Sequence, residues 1–442
     1  MAAAATSLPP GPRLPVALQT ARWIRRPTHF MERCRRTYGD TFSVRIAREG
    51  TWVFLCHPDD IKRVFTGPPE VLRAGEANAV LGPVVGSNSL LLLDAPRHMT
   101  ERKLMLPPFH GERMQRYADV MAEVARAEVE RWPVGREFPV RPAMQAITLE
   151  VIMRAVFGVD EAARLERLRA AVADLLDWAT DRNRLLLLAA IGVDRVGRLR
   201  SFRRARAALD ALIYDEIARR RRAEDLAERE DILSLLLQAR YEDGRGMTDR
   251  ELRDELVTLL VAGHETTATA LAWTFERLVH HPDVLARVRD ELAAGELADL
   301  DAVVHETLRL RPILPIVVRK LAAPFEIRDH VLPAGVTAVP CIYLVHRRAD
   351  VYPDPYAFRP ERFLDRKPGT YTWIPFGGGV RRCLGASFAL FEMRQVLATV
   401  LPHIELRTWD GGGERIVRRA ITYVPERGAR IALERRRTPV AA

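Results

Sequence analysis

The 442-residue chain is short of cysteine, of lysine and of long apolar runs. Its four cysteines, at 34, 56, 341 and 383, are scattered and none forms a C-x-x-C pair. That argues against a disulfide framework or a zinc site and fits a reducing cytosol. Lysine occurs only at 62, 103, 320 and 367, so the net charge of +10 rests almost wholly on arginine. A bias that uniform looks partly like genome composition. The blocks RRAR (203–206) and RRRR (219–222) therefore read as solvated helix faces rather than a nucleic-acid site. The apolar runs LLLLAAIGV (185–193) and LVTLLVAG (256–263) stop far short of the ~20 residues a spanning helix needs. The N-terminus lacks the charged-then-apolar layout of a signal peptide. It reads as a proline-rich tail over 1–15, within a single domain of residues 1–442. These absences predict a cytoplasmic protein with no transmembrane anchor and no nucleic-acid partner.

Hydrophobic periodicity and breakers predict a mainly α fold with small β-sheets. Residues 28–38 are helical, and TFSVRI and TWVFLC alternate as the two strands of a hairpin. Residues 67–95, rich in Gly and Pro, show no lasting period, which in a compact chain marks a functional or disordered loop. Helices follow from about 96 to 240, with breaks near Pro107, Pro133, Gly158 and Gly192. Thr248 and Glu251 fit a capping box that opens a helix of about 33 residues, ending at His281-Pro282. Its middle is apolar all round, so it crosses the interior. Helices at 283–293 and 300–310 follow, then short strands over 315–345, a proline-rich meander over 347–375, and a last helix from Cys383 to about 400.

The segment FGGGVRRCLG (376–385) sets Cys383 among glycines and arginines, directly ahead of a helix. Unpaired N–H groups, the positive end of a helix dipole and neighbouring cations all favour thiolate. Glycines 377–379 and 385 permit φ > 0 and close approach to a flat ligand, and Phe376 packs beside the sulfur. One cysteine cannot enclose a zinc, which wants four ligands. It can supply one axial ligand to a metal held by something else, and haem is that case. The alternative is a structural glycine-rich turn with an incidental cysteine.

This segment matches, at every fixed position, the haem-binding loop of the cytochrome P-450 monooxygenases, and the chain resembles the soluble bacterial members of that family. Thiolate ligation and its push toward O–O cleavage are known properties of these proteins. Four further segments agree in the family's order and cover most of the chain. ETLR (Glu306 to Arg309) and PERF (with Arg362) imply a buried triad under the haem loop, each motif weak alone. AGHETT (262–267) lies in the middle of the long helix, where glycine costs about 1 kcal/mol and a threonine hydroxyl bonding back to residue i−4 can bend the helix. The resemblance makes this a dioxygen groove, with Thr266 orienting bound oxygen and water and Glu265 helping to relay protons. A kinked helix with a satisfied polar pair is the structural alternative. DAPRHMTER carries His98 and Arg102 one turn apart; with Arg319 and Arg381 they match positions that hold haem propionates. Each alone also reads as a surface charge.

The resemblance implies haem b (iron protoporphyrin IX) and a cytochrome P-450 fold whose long central helix crosses the haem. The implied reaction inserts one atom of dioxygen into an apolar small molecule: a fatty acid, a terpenoid or a steroid-like compound. Electrons come from a separate ferredoxin or flavodoxin with its NAD(P)H reductase, whose acidic face Arg382 can receive. Alternatives are a peroxide-driven hydroxylase, a haem-thiolate isomerase, and a non-catalytic haem-thiolate sensor or electron carrier. Pocket segments implied by the family, 70–92, 175–192, 256–266, 313–317 and about 420–423, read mostly apolar, with Arg73 and Glu76 as polar exceptions.

Overall fold

In a computed structural model the chain is described over residues 7–109, 113–158, 161–180, 193–365, 367–408 and 412–437. Within these residues twelve helices have nine residues or more: α1 (Val16–Arg25), α2 (Pro27–Tyr38), α3 (Pro58–Thr66), α4 (Arg97–Met105), α5 (Arg113–Val129), α6 (Arg141–Phe157), α7 (Ala162–Thr180), α8 (Arg200–Arg221), α9 (Asp249–Val279), α10 (Pro282–Ala293), α11 (Ala298–Leu310) and α12 (Ala386–Val400). The predicted break at Gly192, and residues 181–192 of one pocket segment, lie outside the described residues.

The long helix α9 is 31 residues, roughly 46 Å at 1.5 Å per residue. Its start is the capping box read from the sequence. Glu251 N donates to Thr248 Oγ1 at 3.2 Å, and Thr248 N donates to Glu251 Oε2 at 2.9 Å. At the other end Pro282 opens α10 at a position where a missing N–H costs nothing. Residues 252–260 and 267–279 of α9 are buried with a single half-buried exception, Arg277, whereas the stretch between them opens, with Ala262 exposed.

A five-stranded sheet lies to one side. β1 (Thr41–Ile46) and β2 (Gly50–Leu55) form the predicted hairpin. With β3 (Leu72–Arg73), β4 (Arg319–Leu321) and β5 (Thr337–Pro340) they give the order β1-β2-β5-β4-β3, in which β2 and β5 run parallel. Strand alternation splits β2 between two cores: Val53 and Leu55 join one apolar cluster, Phe54 and Cys56 the other. The largest core lies among the helices. Residues 67–95 contain more structure than predicted: strand β3 and helical turns at Ala74–Ala77, Ala79–Leu81 and Gly82–Val85. Elements of two to four residues are too short for periodicity to reveal. A second hairpin, β6 (Ile416–Arg419) and β7 (Thr422–Pro425), reaches back to α9, where Trp273 Nε1 donates to Tyr423 O at 3.3 Å, and Tyr423 N donates to Ile313 O at 2.8 Å.

Candidate active site

The glycines ahead of Cys383 divide their work. Gly377 (φ +67°) and Gly379 (φ +63°) occupy the left-handed region. A side-chain carbon at 379 would lie 2.0 Å from the Phe65 carbonyl oxygen, and one at 378 would lie 2.2 Å from the Phe65 ring. Glycines 378 and 379 thus let the loop lie flat on α3, which corrects the expectation that all of them make room for a ligand. Gly385 meets no atom within 4 Å and leaves open space beside α12. The loop closes on itself through Cys383 N donating to Phe376 O at 2.9 Å. Phe376 packs edge-on against Trp373, with ring centres 6.1 Å apart.

The Cys383 side chain is accessible, yet burial is the largest influence on its thiol and pushes it up. The Gly385 N–H, Arg102 and Arg382 pull the other way. The N–H and cationic surroundings expected to favour thiolate are present and pull that way, while desolvation outweighs them. A bound metal cation reverses that balance, since a coordinating thiol is deprotonated outright.

Near Cys383 the structure gathers Arg102 and His98 from α4, Arg319 at the start of β4, and Arg381. His98 is buried, and its imidazole is pushed down to about 3 by burial and then by Arg381, Arg102 and Arg319, so it is neutral. Burial lowers Arg319 and Arg381 to about 10, leaving both charged at neutral pH. Arg381 donates to Asp94 Oδ1 at 2.8 Å, to Leu90 O at 3.3 Å and to Leu93 O. Arg319 donates to Val318 O at 2.8 Å. Asp94 stands against Arg319 and Arg381, and Arg102 adds a third guanidinium beside Arg381, so among the described residues three positive charges meet one negative, an excess of two. The two propionates of a haem would neutralise it. Among the described residues no group of three His, Cys, Asp or Glu side chains is placed to hold a metal ion. Cys383 would therefore hold an iron only within a group that brings ligands of its own, and the residues fit a haem.

Below the loop Glu306 and Arg309, both fully buried, pair bidentately at 2.6 and 2.8 Å. Arg309 also donates to the carbonyls of His346 (2.7 Å), Pro355 (2.8 Å) and Ala357 (3.1 Å). Arg362 lies 3.5 Å from Glu306 and donates to Asp354 O at 2.9 Å. The structure brings the three predicted residues together. It adds His346, whose Nε2 accepts from Ile374 N at 2.8 Å while Nδ1 lies 3.2 Å from Arg309 O. Because Nε2 accepts, the proton sits on Nδ1 and bonds Arg309. His346 therefore ties α11 to the segment leading into the cysteine loop, and no sequence signal marks it.

On α9 the Thr266 hydroxyl donates to Ala262 O at 2.7 Å, the predicted bond to residue i−4. Thr267 is buried. Glu265 is held on both oxygens, by Arg141 and by Gln145 Nε2 at 2.8 Å, both on α6. His264 turns into the same seam, with Nδ1 3.1 Å from Thr148 Oγ1, and burial lowers it to about 4. At Gly263 a side-chain carbon would lie 3.0 Å from Ile152, so this glycine admits α6. Arg141 had a readable signal. An arginine in the first turn of a helix opposes the macrodipole and needs an acidic partner from elsewhere. Asp94 was also legible, just ahead of Pro96 and α4. Arg73 and Glu76 are half exposed and lie 3.5 Å from each other.

The cytochrome P450 family profile matches residues 8–427. The putative cytochrome P450 135B1 of Mycobacterium tuberculosis is 47% identical over 433 residues, covering 96% of this chain and 91% of the relative. The putative cytochrome P450 137 of the same species is 41% identical over 404 residues, covering 91% and 84%. Among solved structures, the retinoic acid-bound cyanobacterial CYP120A1 superposes with a TM-score of 0.83 at 25% identity, covering 97% of this chain and 99% of that one. The haem domain of cytochrome P450DA gives 0.82 at 23%, a likeness of fold, covering 98% and 99%. With the family profile spanning almost the whole chain and relatives above 40% identity along its length, this protein belongs to the cytochrome P450 family.

Proposed function

We propose that this cytochrome P450 monooxygenase oxygenates an apolar small molecule of the terpenoid, fatty-acid or steroid-like kind, with electrons from a separate ferredoxin or flavodoxin and its NAD(P)H reductase. The observation that carries the site is the accessible Cys383 beside Arg102, in a cluster where Arg102, Arg319 and Arg381 exceed the charge of Asp94 by two. Haem supplies the reductive activation of dioxygen at its iron. Arg102, Arg319 and Arg381 would bind its two carboxylates, and Cys383 would ligate the iron. Glu306, Arg309 and Arg362 would fix the floor beneath, with His98 neutral in the arginine cluster. Thr266 gives its own proton to Ala262 O, so its lone pairs are left to accept from water in the open stretch of the helix. Both Glu265 oxygens are bonded to α6, so a proton relay through Glu265 requires releasing Arg141 or Gln145. The whole chain, apart from its proline-rich start, acts as one catalytic domain.

Leu259 and Ala262 on α9, the stretch 313–317, and Ile421 at the tip of the β6–β7 hairpin support an apolar substrate. Ile421 is 44% exposed while the strand that follows it is buried. The bound ligand of CYP120A1, retinoic acid, is itself a terpenoid carboxylate and favours that class. Among the described residues no helix is long and apolar enough to cross a membrane. Spin-state titration of the ferric protein against terpenoid acids, fatty acids and steroids is the test. One apolar class should give a saturable high-spin shift, and a response confined to polar, charged compounds would overturn the substrate reading. Reduction by a ferredoxin should slow with added salt, because exposed Arg382 faces an acidic partner; a salt-independent rate removes that partner surface.

A further inference from the structure

Residues 86–94 form a strap held at both ends. At one end it is zipped to the long helix α9. Asn88 donates from its backbone N (3.0 Å) and its Nδ2 (2.9 Å) to Asp254 Oδ2, and Ser89 Oγ bonds Thr258 Oγ1 at 2.7 Å. Gly86, at φ +89°, begins the strap where a side-chain carbon would lie 2.0 Å from Asp254 Oδ1. At the other end Leu90 O, Leu93 O and Asp94 Oδ1 all accept from Arg381. The strap therefore sets where the Arg381 guanidinium sits.

Glu255 lies within the zipped stretch and is the one member without a bond. It is completely buried, and neither carboxyl oxygen has a hydrogen-bond partner. The Leu90 amide of the strap is directed at it without closing a full hydrogen bond. Its charged surroundings are mostly of the wrong sign. Glu101 faces it from α4, itself buried, with Oε1 taken by Tyr241 Oη at 2.8 Å and Oε2 unpartnered. Asp254 stands beside it on α9, and behind Glu101 lie Arg245 and Glu251. Arg97 opposes these, but it is half exposed and shared between Glu101 at 3.8 Å and Glu251 at 3.2 Å. A carboxylate buried there without a partner is untenable, so Glu255 is held as the neutral acid. Burial, and then the charge of Glu101, push its carboxyl well above the usual range.

We propose that Glu255 is a proton-dependent latch for the strap 86–94 and, through the strap, a positioning residue for Arg381 at the charged edge of the haem site. With the strap closed Glu255 keeps its proton; with the strap lifted, water reaches the carboxyl and the proton leaves at ordinary acidity. The closed form thus binds one more proton than the open form at any pH between those two values, so raising the pH favours opening. The gain is up to about tenfold in the opening equilibrium per pH unit.

Hydrogen–deuterium exchange of the holoprotein, corrected for intrinsic rates and followed from about pH 6 to about pH 8, tests this. Opening of 86–94 should rise with pH in the wild type by up to about tenfold per unit, while the β6–β7 hairpin stays level. Glu255→Gln, neutral at every pH, should abolish the rise. A flat wild-type strap, or the same rise in Glu255→Gln, overturns the proposal. Should Glu255→Gln fail to fold, Glu101→Gln serves. Removing the neighbouring carboxyl should lower the pH at which the rise levels off, and a rise that levels off no earlier than in the wild type overturns the latch. The carbon monoxide spectrum of the same samples reports the haem site independently, so the latch can fail while the monooxygenase assignment stands.

Discussion

The cysteine loop and the strap grip the same guanidinium by opposite means. The loop 376–385 carries Arg381 on a backbone whose shape is local: two left-handed glycines and a bond from Cys383 N back to Phe376 O. The strap 86–94 holds the far side of Arg381 with carbonyls and Asp94, and it has little regular structure of its own. Its shape comes from residues more than 150 positions away on α9. A locally determined loop is rigid and fails at a single position, whereas a strap with several distant anchors loses them one at a time.

Three substitutions break or sharpen that contrast. Gly379→Ala should have the largest effect. It forces φ +63° on an alanine and drives its Cβ into the Phe65 backbone, where no side chain can yield. A loss on the order of 4 kcal/mol in urea unfolding of the apoprotein is expected. Gly385→Ala, with open space around it and an ordinary φ, should stay within about 0.5 kcal/mol. Asp94→Ala should cost less than Gly379→Ala, about 2–3 kcal/mol. It removes the bond to Arg381 and the acceptors for Gly75 N (2.8 Å) and Glu76 N (2.9 Å), but the α9 zipper remains. Equal losses from the two substitutions would erase the distinction between loop and strap.

A pH-dependent effect lies outside both regions, in the seam between α6 and α9. His264 is neutral in the fold, with its imidazole lowered to about 4 from an unfolded value of 6.5. Its folding contribution is therefore complete above about pH 6.5 and is lost as pH falls toward about 4. The slope is up to about 1.4 kcal/mol per unit in that window. His264→Gln should flatten this part of the stability–pH curve by one proton. An unchanged curve would mean the imidazole charges without cost.

The helices and the loop were legible because their causes are local. Thr248 and Glu251 three apart open α9, Pro282 starts α10, and Gly-Gly-Gly before Arg381 and Cys383 dictates a tight turn. Glu306 and Arg309 could be paired in advance because one helix carries both. The rest was hidden for a common reason. Phe65 beneath Gly379, His346 between Arg309 and Ile374, and Asp254 under Asn88 are contacts between segments far apart in sequence. Glu265 shows the limit most clearly. Its type and position suggested a proton relay, and only the fold reveals Arg141 and Gln145 holding both its oxygens.

The central claim is that Cys383, beside a cluster of three arginines whose charge exceeds that of Asp94 by two, ligates the haem iron. The reduced protein under carbon monoxide tests it most directly. The wild type should show the strongly red-shifted Soret band of thiolate ligation, and Cys383→Ser should lose that band. A Cys383→Ser protein that retains the red-shifted band would contradict the account.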